Sequence, residues 1–387
     1  MRTPAEIAEK FKFLNPGQRQ EYLKKHYGAA HQESTTPRER VICSLAGKKS
    51  NRVPFDFWAV PEVYDNLKQY LGVSSELEVE ELLGSDCRKV EADYTGPAPK
   101  RNPDGSYIDR WGTHRREVQH SWGGVYQEYA RYPLAEAETP DEVRDWPGWP
   151  RPEHWDYSRL PEKIAKINQK TCYHIRVELG GIFGLSWGLY GLENFLLDLI
   201  ARPEIPCAIM DRFTELFLAL AGRAQGAAGD RIDIIYTYDD IGMQNNLLMS
   251  RAMWQKYILP RHRKLNKFIK QYPVKIMYHS CGAIYPLIAD LISEMKIDIL
   301  NPLQPRAKGM DMNKIKENFG SRLAFHGGID LQQTMPRGST LEVQQEAESR
   351  CQVLGHNGGY ICSPAHHLQS DTPLDNIIAL YTARRDI

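Results

Sequence analysis

The 387-residue chain is 42% apolar and carries 49 lysines and arginines against 49 aspartates and glutamates. That length suits one (β/α)8 barrel or two ordinary domains, and the balanced charge leaves no net electrostatic footprint for a nucleic-acid partner. The opening MRTPAEIAEKFKFLNPGQRQEY alternates charged and apolar residues without the apolar core of a signal peptide. No later stretch approaches the roughly 20 apolar residues of a membrane span, so a cytoplasmic protein with no membrane partner is expected.

In chain order, residues 1–36 predict a short helical extension. Beyond them β-like runs alternate with amphipathic helical stretches, the pattern of a parallel α/β architecture. The eight runs are RVPFDFW (52–58), CRKVEADY (87–94), YHIRVEL (173–179), IDIIYTY (232–238), VKIMYHS (274–280), KIDILNP (296–302), RLAFHGG (322–328) and GGYICSP (358–364). After the second run, the turn NPDGSY and the mixture YIDRWGTHRREVQHSWGGVYQEY predict a β-hairpin excursion over 95–133. Its tryptophans and tyrosines either line a substrate mouth or pack the hairpin onto the rest. Leu192, Phe195, Leu196, Leu199 and Ile200 form one buried helical stripe, and Leu287, Ile288, Leu291, Ile292 and Met295 another. Pro260 should kink or divide the helix that starts near Ser250. Ser339 with Glu342 reads as a capping box. The prediction is a single TIM barrel over 37–387, without a second domain or internal repeat.

In such a barrel, function sits where strands end and βα loops begin. Asp239 and Asp240 follow the fourth run, His279 and Cys281 the fifth, Asn301 and Gln304 the sixth. His326 and Asp330 flank the seventh, and CSPAHH closes the eighth. His279 and Cys281 are two apart, so both side chains point to one side of a strand. Zinc needs three or four nitrogen or sulfur donors, and Cys362 and His366 are the candidates to complete the set. The plainer alternative makes Cys281 a small buried hydrophobe and His279 a satisfied strand-end histidine. Adjacent carboxylates at Asp239 and Asp240 suit acid–base work, because like charges push one pKa up; loop hydrogen bonds are the alternative. Glu178 is a charge in an apolar strand, either a ligand or an anchor for an arginine. The seven cysteines are odd in number and scattered, which is no disulfide framework. Cys43, Cys87, Cys172, Cys207 and Cys351 have no histidine or carboxylate at ligand spacing and read as packing. GGIFG and HGGI do not match a phosphate loop, so no nucleotide is inferred.

The ordered motifs PRERVICSLAGKKSNRVPFDF, DGSYIDRWG, YPLAEAETPDEV, LENFLLDLIARPE, YDDIGMQ, YHSCGAIYPLI, ILNPLQP, FHGGID and SPAHHLQSDTPLDNI span 37–387. In them the sequence resembles the uroporphyrinogen decarboxylase superfamily, and within it the methyltransferase-like branch. The arginine-rich N-terminal substrate motif of the decarboxylase is not present. The resemblance implies zinc and methyl transfer to or from a cobalt corrinoid carried by a partner protein. It implies a two-fold dimer as well. It places the ligands at His279 and Cys281, and the family's second cysteine falls on His366, with Cys362 four residues earlier as the competing third ligand. Glu178, Gln244, Asn301 and His326 are the substrate contacts it suggests. One thiolate with two neutral histidines leaves zinc near +1, against near zero for two thiolates, and the more positive ion better polarises the oxygen of a methyl ether. Asp239 or Asp240 would orient or protonate the departing group. Two other readings stay open: a metal-free decarboxylase of a cyclic or aromatic acid that uses His366, and a non-catalytic tetrapyrrole- or corrinoid-binding protein.

Overall fold

The computed structural model describes residue 11 and residues 13–26, 34–119 and 125–383. Of the predicted N-terminal extension, helix Pro16–His26 is described, and the tip of the excursion at 120–124 lies outside the described residues. Seven strands form one sheet in sequential order: β1 (Cys87–Lys89), β2 (His174–Gly180), β3 (Ile234–Tyr238), β4 (Lys275–His279), β5 (Ile299–Leu303), β6 (Ala324–Ile329) and β7 (Tyr360–Pro364). All its neighbours are parallel. Among the described residues no helix is long and apolar enough to cross a membrane.

The first predicted run closes the curl without forming a ladder. The Cys362 amide donates to the Pro54 carbonyl and the Asp56 amide to the Cys362 carbonyl, each at 2.9 Å, while the Asp86 amide donates to Phe55 at 2.7 Å. Pro54 has no N–H to give, and the Phe55 N–H is taken by the Asp86 carboxylate at 2.8 Å. The stave is therefore present, held by bridges. Its period of two is intact: Phe55 and Phe57 turn outward onto Tyr381, and Asp56 and Trp58 turn inward.

Inside, Trp58, Ile234, Tyr236, Met277, Ile299 and Ala324 pack as one apolar layer. Each of its isoleucine and methionine side chains contributes roughly 1.5–3 kcal/mol by burial. Two residues further along the same strands, about 6.6 Å higher at 3.3 Å per residue, stand His279, Asn301 and His326. One parity thus puts the apolar floor and the polar layer above it on the same side.

The excursion is larger than the predicted hairpin. It is a four-stranded antiparallel sheet (Lys100–Arg101, Tyr107–Ile108, His114–Gln119, Val125–Arg131), because the Asp109–Thr113 segment makes a second turn after NPDGSY. Its aromatics pack it onto the barrel: Trp111 lies 5.1 Å from Trp155, and Tyr129 lies 4.7 Å from Trp187. Pro260 divides its helix as expected, with a π turn over Trp254–Ile258 before the helix Leu259–Ile269. The Ser339–Glu342 capping box is formed. Of the first apolar stripe, Phe195 and Leu199 are buried, but Ile200 is 74% exposed at the end of its helix. There the packed face has rotated away from it.

Candidate metal centre

His279 ends β4 and Cys281 follows two residues later, with Gly282 next at φ 85°. A Cβ on Gly282 would lie 2.5 Å from the backbone of Gly242, so the neighbouring loop can approach only a glycine there. The close approach fixes where the cysteine sits. His366 comes from the loop beyond β7. One ligand atom each from His279, Cys281 and His366 lie within 4.8 Å of one another. Cys281 Sγ is 3.4 Å from His279 Nε2. A tetrahedral zinc with sulfur at about 2.3 Å and nitrogen at about 2.0 Å sets those two donors about 3.5 Å apart, so the pair fits the ion. His279 is buried, Cys281 half-buried and His366 exposed, which leaves the outer side open.

The electrostatics suit a cation. Burial works against charge on His279, but Cys281 and Asp240 outweigh it and hold the imidazole well above its ordinary range. Burial likewise opposes the charge of Asp240, and its contacts with His279 and the Cys281 amide overcome this, holding the carboxyl at about 2. The Cys281 N–H donates to Asp240 Oδ1 at 2.9 Å. As a carboxylate, Asp240 can orient groups but does not carry a proton to deliver near neutral pH.

Other expected site residues are elsewhere. Asp239 is fully buried and faces the helical layer, 2.5 Å from His262 Nε2, and accepts from the Gly184 amide at 2.7 Å. Past the end of β3 at Tyr238 the two aspartates part, and Asp240 is the one beside His279. Cys362 pairs with Gly327, one step beyond the His326–Ile361 pair, and thus lies on the opposite face from His326. Fully buried in the apolar core, its thiol is outside the ligand group. Glu178 pairs with Lys89 at 3.1 Å rather than with an arginine. Gln244 belongs to the rim, donating to the Arg306 carbonyl at 2.6 Å and accepting from Gln332.

Asn301 and His326, expected to touch substrate, are buried and turned to each other. Asn301 Oδ1 is 2.6 Å from His279 Nδ1, its Nδ2 is 2.6 Å from His326 Nδ1, and His326 Nε2 is 3.0 Å from Asp56 Oδ2. Asp56 also takes Arg176 Nη1 at 2.7 Å and Trp58 Nε1 at 2.6 Å. Asp56, Trp58, Arg176 and His367 were not singled out in the sequence. A charge at inward parity in RVPFDFW and in YHIRVEL was the available signal. Trp58 stacks near His367, whose ring is 5.1 Å from that of His366. Beside this wall a cavity of about 660 Å³ opens, lined by Trp58, Lys89, Arg176 and His367 among others.

The family model described as uroporphyrinogen decarboxylase (URO-D) matches residues 162–387, more than half of the chain. A methyltransferase from Methanosarcina mazei has the same fold, with a TM-score of 0.62 and 19% identity over 90% of this chain and 97% of that one. A D-psicose 3-epimerase structure determined with D-fructose reaches only a TM-score of 0.29 at 10% identity, over 60% of this chain and 78% of that one. Among curated proteins none matches the sequence. With the matched region spanning β2 to β7 and every strand end that bears the candidate ligands, the chain belongs to the uroporphyrinogen decarboxylase family.

Proposed function

We propose that the protein is a zinc-dependent methyltransferase of the methyltransferase-like branch. It moves a methyl group from a small O-methyl donor, such as a methyl ether, to a corrinoid carried by a partner protein. One observation carries the reading: two separate strand ends bring His279, Cys281 and His366 to one point at an open mouth. Bound there, zinc supplies Lewis-acid stabilisation of the charge that develops on the leaving oxygen. A single thiolate with two imidazoles leaves the set net positive, which favours an oxygen leaving group over activation of a thiol. Asp240 steadies the Cys281 turn through its amide. The wall of Trp58 and His367 offers flat apolar surface for the donor, and the exposed side of His366 leaves room for a partner. As the methyl group departs, the donor oxygen keeps the bonding electrons and takes a proton from water at the mouth. The reduced corrinoid, as acceptor, provides the electron pair for the new bond to carbon.

Metal analysis of protein purified without added zinc should find one zinc per chain. Mixed with an aryl methyl ether and reduced corrinoid, the same protein should consume the reduced corrinoid's absorbance. Zinc-free protein that instead releases carbon dioxide from a porphyrinogen or an aromatic acid makes it a decarboxylase and sinks the reading.

A further inference from the structure

The buried line Arg176, Asp56, His326, Asn301, His279 crosses the barrel interior and ends on a proposed metal ligand. Asp56 is surrounded by donors: Arg176 Nη1 at 2.7 Å, Trp58 Nε1 at 2.6 Å and the Phe57 amide at 2.9 Å. Burial opposes its charge, yet Arg176 and His326 hold its carboxyl well below the usual range. A carboxylate can only accept, so the 3.0 Å contact requires His326 to donate from Nε2. Buried, with Arg176 nearby, His326 is held below its ordinary pKa despite Asp56, and so carries a single proton. Its Nδ1 is then bare and must accept from the Asn301 amide nitrogen at 2.6 Å. That choice turns Asn301 Oδ1, an acceptor only, toward His279 Nδ1 at 2.6 Å. His279 therefore keeps its proton on Nδ1. The nitrogen left to face Cys281, 3.4 Å away, is Nε2.

We propose that Asp56, His326 and Asn301 are positioning residues that fix the tautomer and ring orientation of His279, so that it presents Nε2 to a cation. The metal-binding part rests on the zinc reading above; the tautomer part does not. Each polar atom in the line has one consistent role, and reversing any member reverses those after it. Partners of this kind typically set metal affinity by 10–100-fold. The line also accounts for the way Asn301 and His326 are turned to each other inside the barrel.

The test is the ring-nitrogen spectrum of ¹⁵N-histidine-labelled protein, with and without zinc. His326 should show a proton on Nε2 and a bare Nδ1 in both states, and His279 should show a proton on Nδ1 in both. Asn301→Asp preserves the acceptor toward His279 but not the donor toward His326. It should leave the Nδ1 proton of His279 in place and zinc affinity within a few-fold, while His326 becomes doubly protonated. Asn301→Leu should lower zinc affinity about 10–100-fold. A bare Nδ1 on His279, or a proton on Nδ1 of His326 in the wild type, overturns the proposal. So does an Asn301→Leu protein that folds and binds zinc as tightly as the wild type. If the wild type binds no zinc at all, the functional reading falls, and the spectrum of the metal-free protein, followed to a pH high enough for the raised His279 ring to lose one of its two protons, still decides which nitrogen keeps the other.

Discussion

At the end of β4, His279 and Cys281 stand two residues apart and turn to the same side; at the end of β7, Cys362 and His366 stand four apart and part company. By counting alone both pairs share parity. In each pair the second residue lies two positions past the end of its strand, and the turns that follow differ. The pairing of β4 with β5 runs through His279, and the Gly282 turn comes directly after Cys281. Pairing of β7 ends at Pro364, and beyond it the loop no longer alternates, so the face of His366 does not follow from that of Cys362. A parity argument is sound within a strand and no guide past its end: two residues beyond it, parity holds at Cys281 and fails at His366. Asp239 and Asp240 repeat the lesson at the end of β3, one buried against His262 and the other 64% exposed beside His279.

The largest effect should come from β4. Cys281→Ser removes the thiolate that anchors the set, so zinc content should fall to near zero and methyl transfer with it, while thermal unfolding changes little. The zinc reading predicts a particular pH trend in the wild type. His279 is held above its ordinary range, and zinc must displace that proton. Affinity should therefore rise as pH increases through neutrality. A Cys281→Ser protein that retains one zinc per chain would show that the two strand ends differ less than their geometry says.

The aspartates give the intermediate effect and separate packing from chemistry. Asp239→Ala leaves the fully buried His262 ring nitrogen and the Gly184 amide without their partner, and a buried polar group left unsatisfied costs about 1–3 kcal/mol. Denaturant unfolding should register that loss. Asp240→Ala removes an exposed carboxylate that steadies the Cys281 amide, so stability should stay nearly unchanged while zinc affinity falls about 10–100-fold. The reverse pattern would exchange their roles.

Much of the fold was legible because the staves are short apolar runs, buried on both faces and separated by amphipathic helices, and because a period of two is a local property. The candidate ligands were legible for the same reason at His279 and Cys281. His366 was a candidate beside Cys362 from the need for a further donor at the mouth of the last strand, and the family pattern placed it ahead of Cys362. What stayed hidden depends on distant chain. Asp56 meets Arg176 across 120 residues and His326 across 270, and nothing within RVPFDFW announces either partner. Glu178 drew notice as a charge in an apolar strand, yet Arg176, two residues earlier on the same face, joins the polar line instead. A charge pattern marks a position as unusual without naming its partner. The second turn of the excursion was missed because Asp109 and Gly112 form it amid residues that otherwise read as continuous strand.

The smallest effect should fall on β7 and is the sharpest check on the comparison. Cys362 is fully buried in the apolar core with the Tyr360 hydroxyl beside its thiol, and its backbone, not its sulfur, ties the first stave to the last strand. Cys362→Val keeps the backbone bonds, which involve only N–H and C=O. It replaces one small apolar side chain with another in a β-strand, where branched residues sit well. Valine is larger by about one methylene, and extra volume of that size in a packed core costs about 1–3 kcal/mol. Zinc content and methyl transfer should match the wild type, because no ligand has been touched. Loss of zinc in this variant, with the protein still folded, would mean that the thiol reaches the metal after all and that the face assigned by the β6–β7 register is not the one used when the ion is bound.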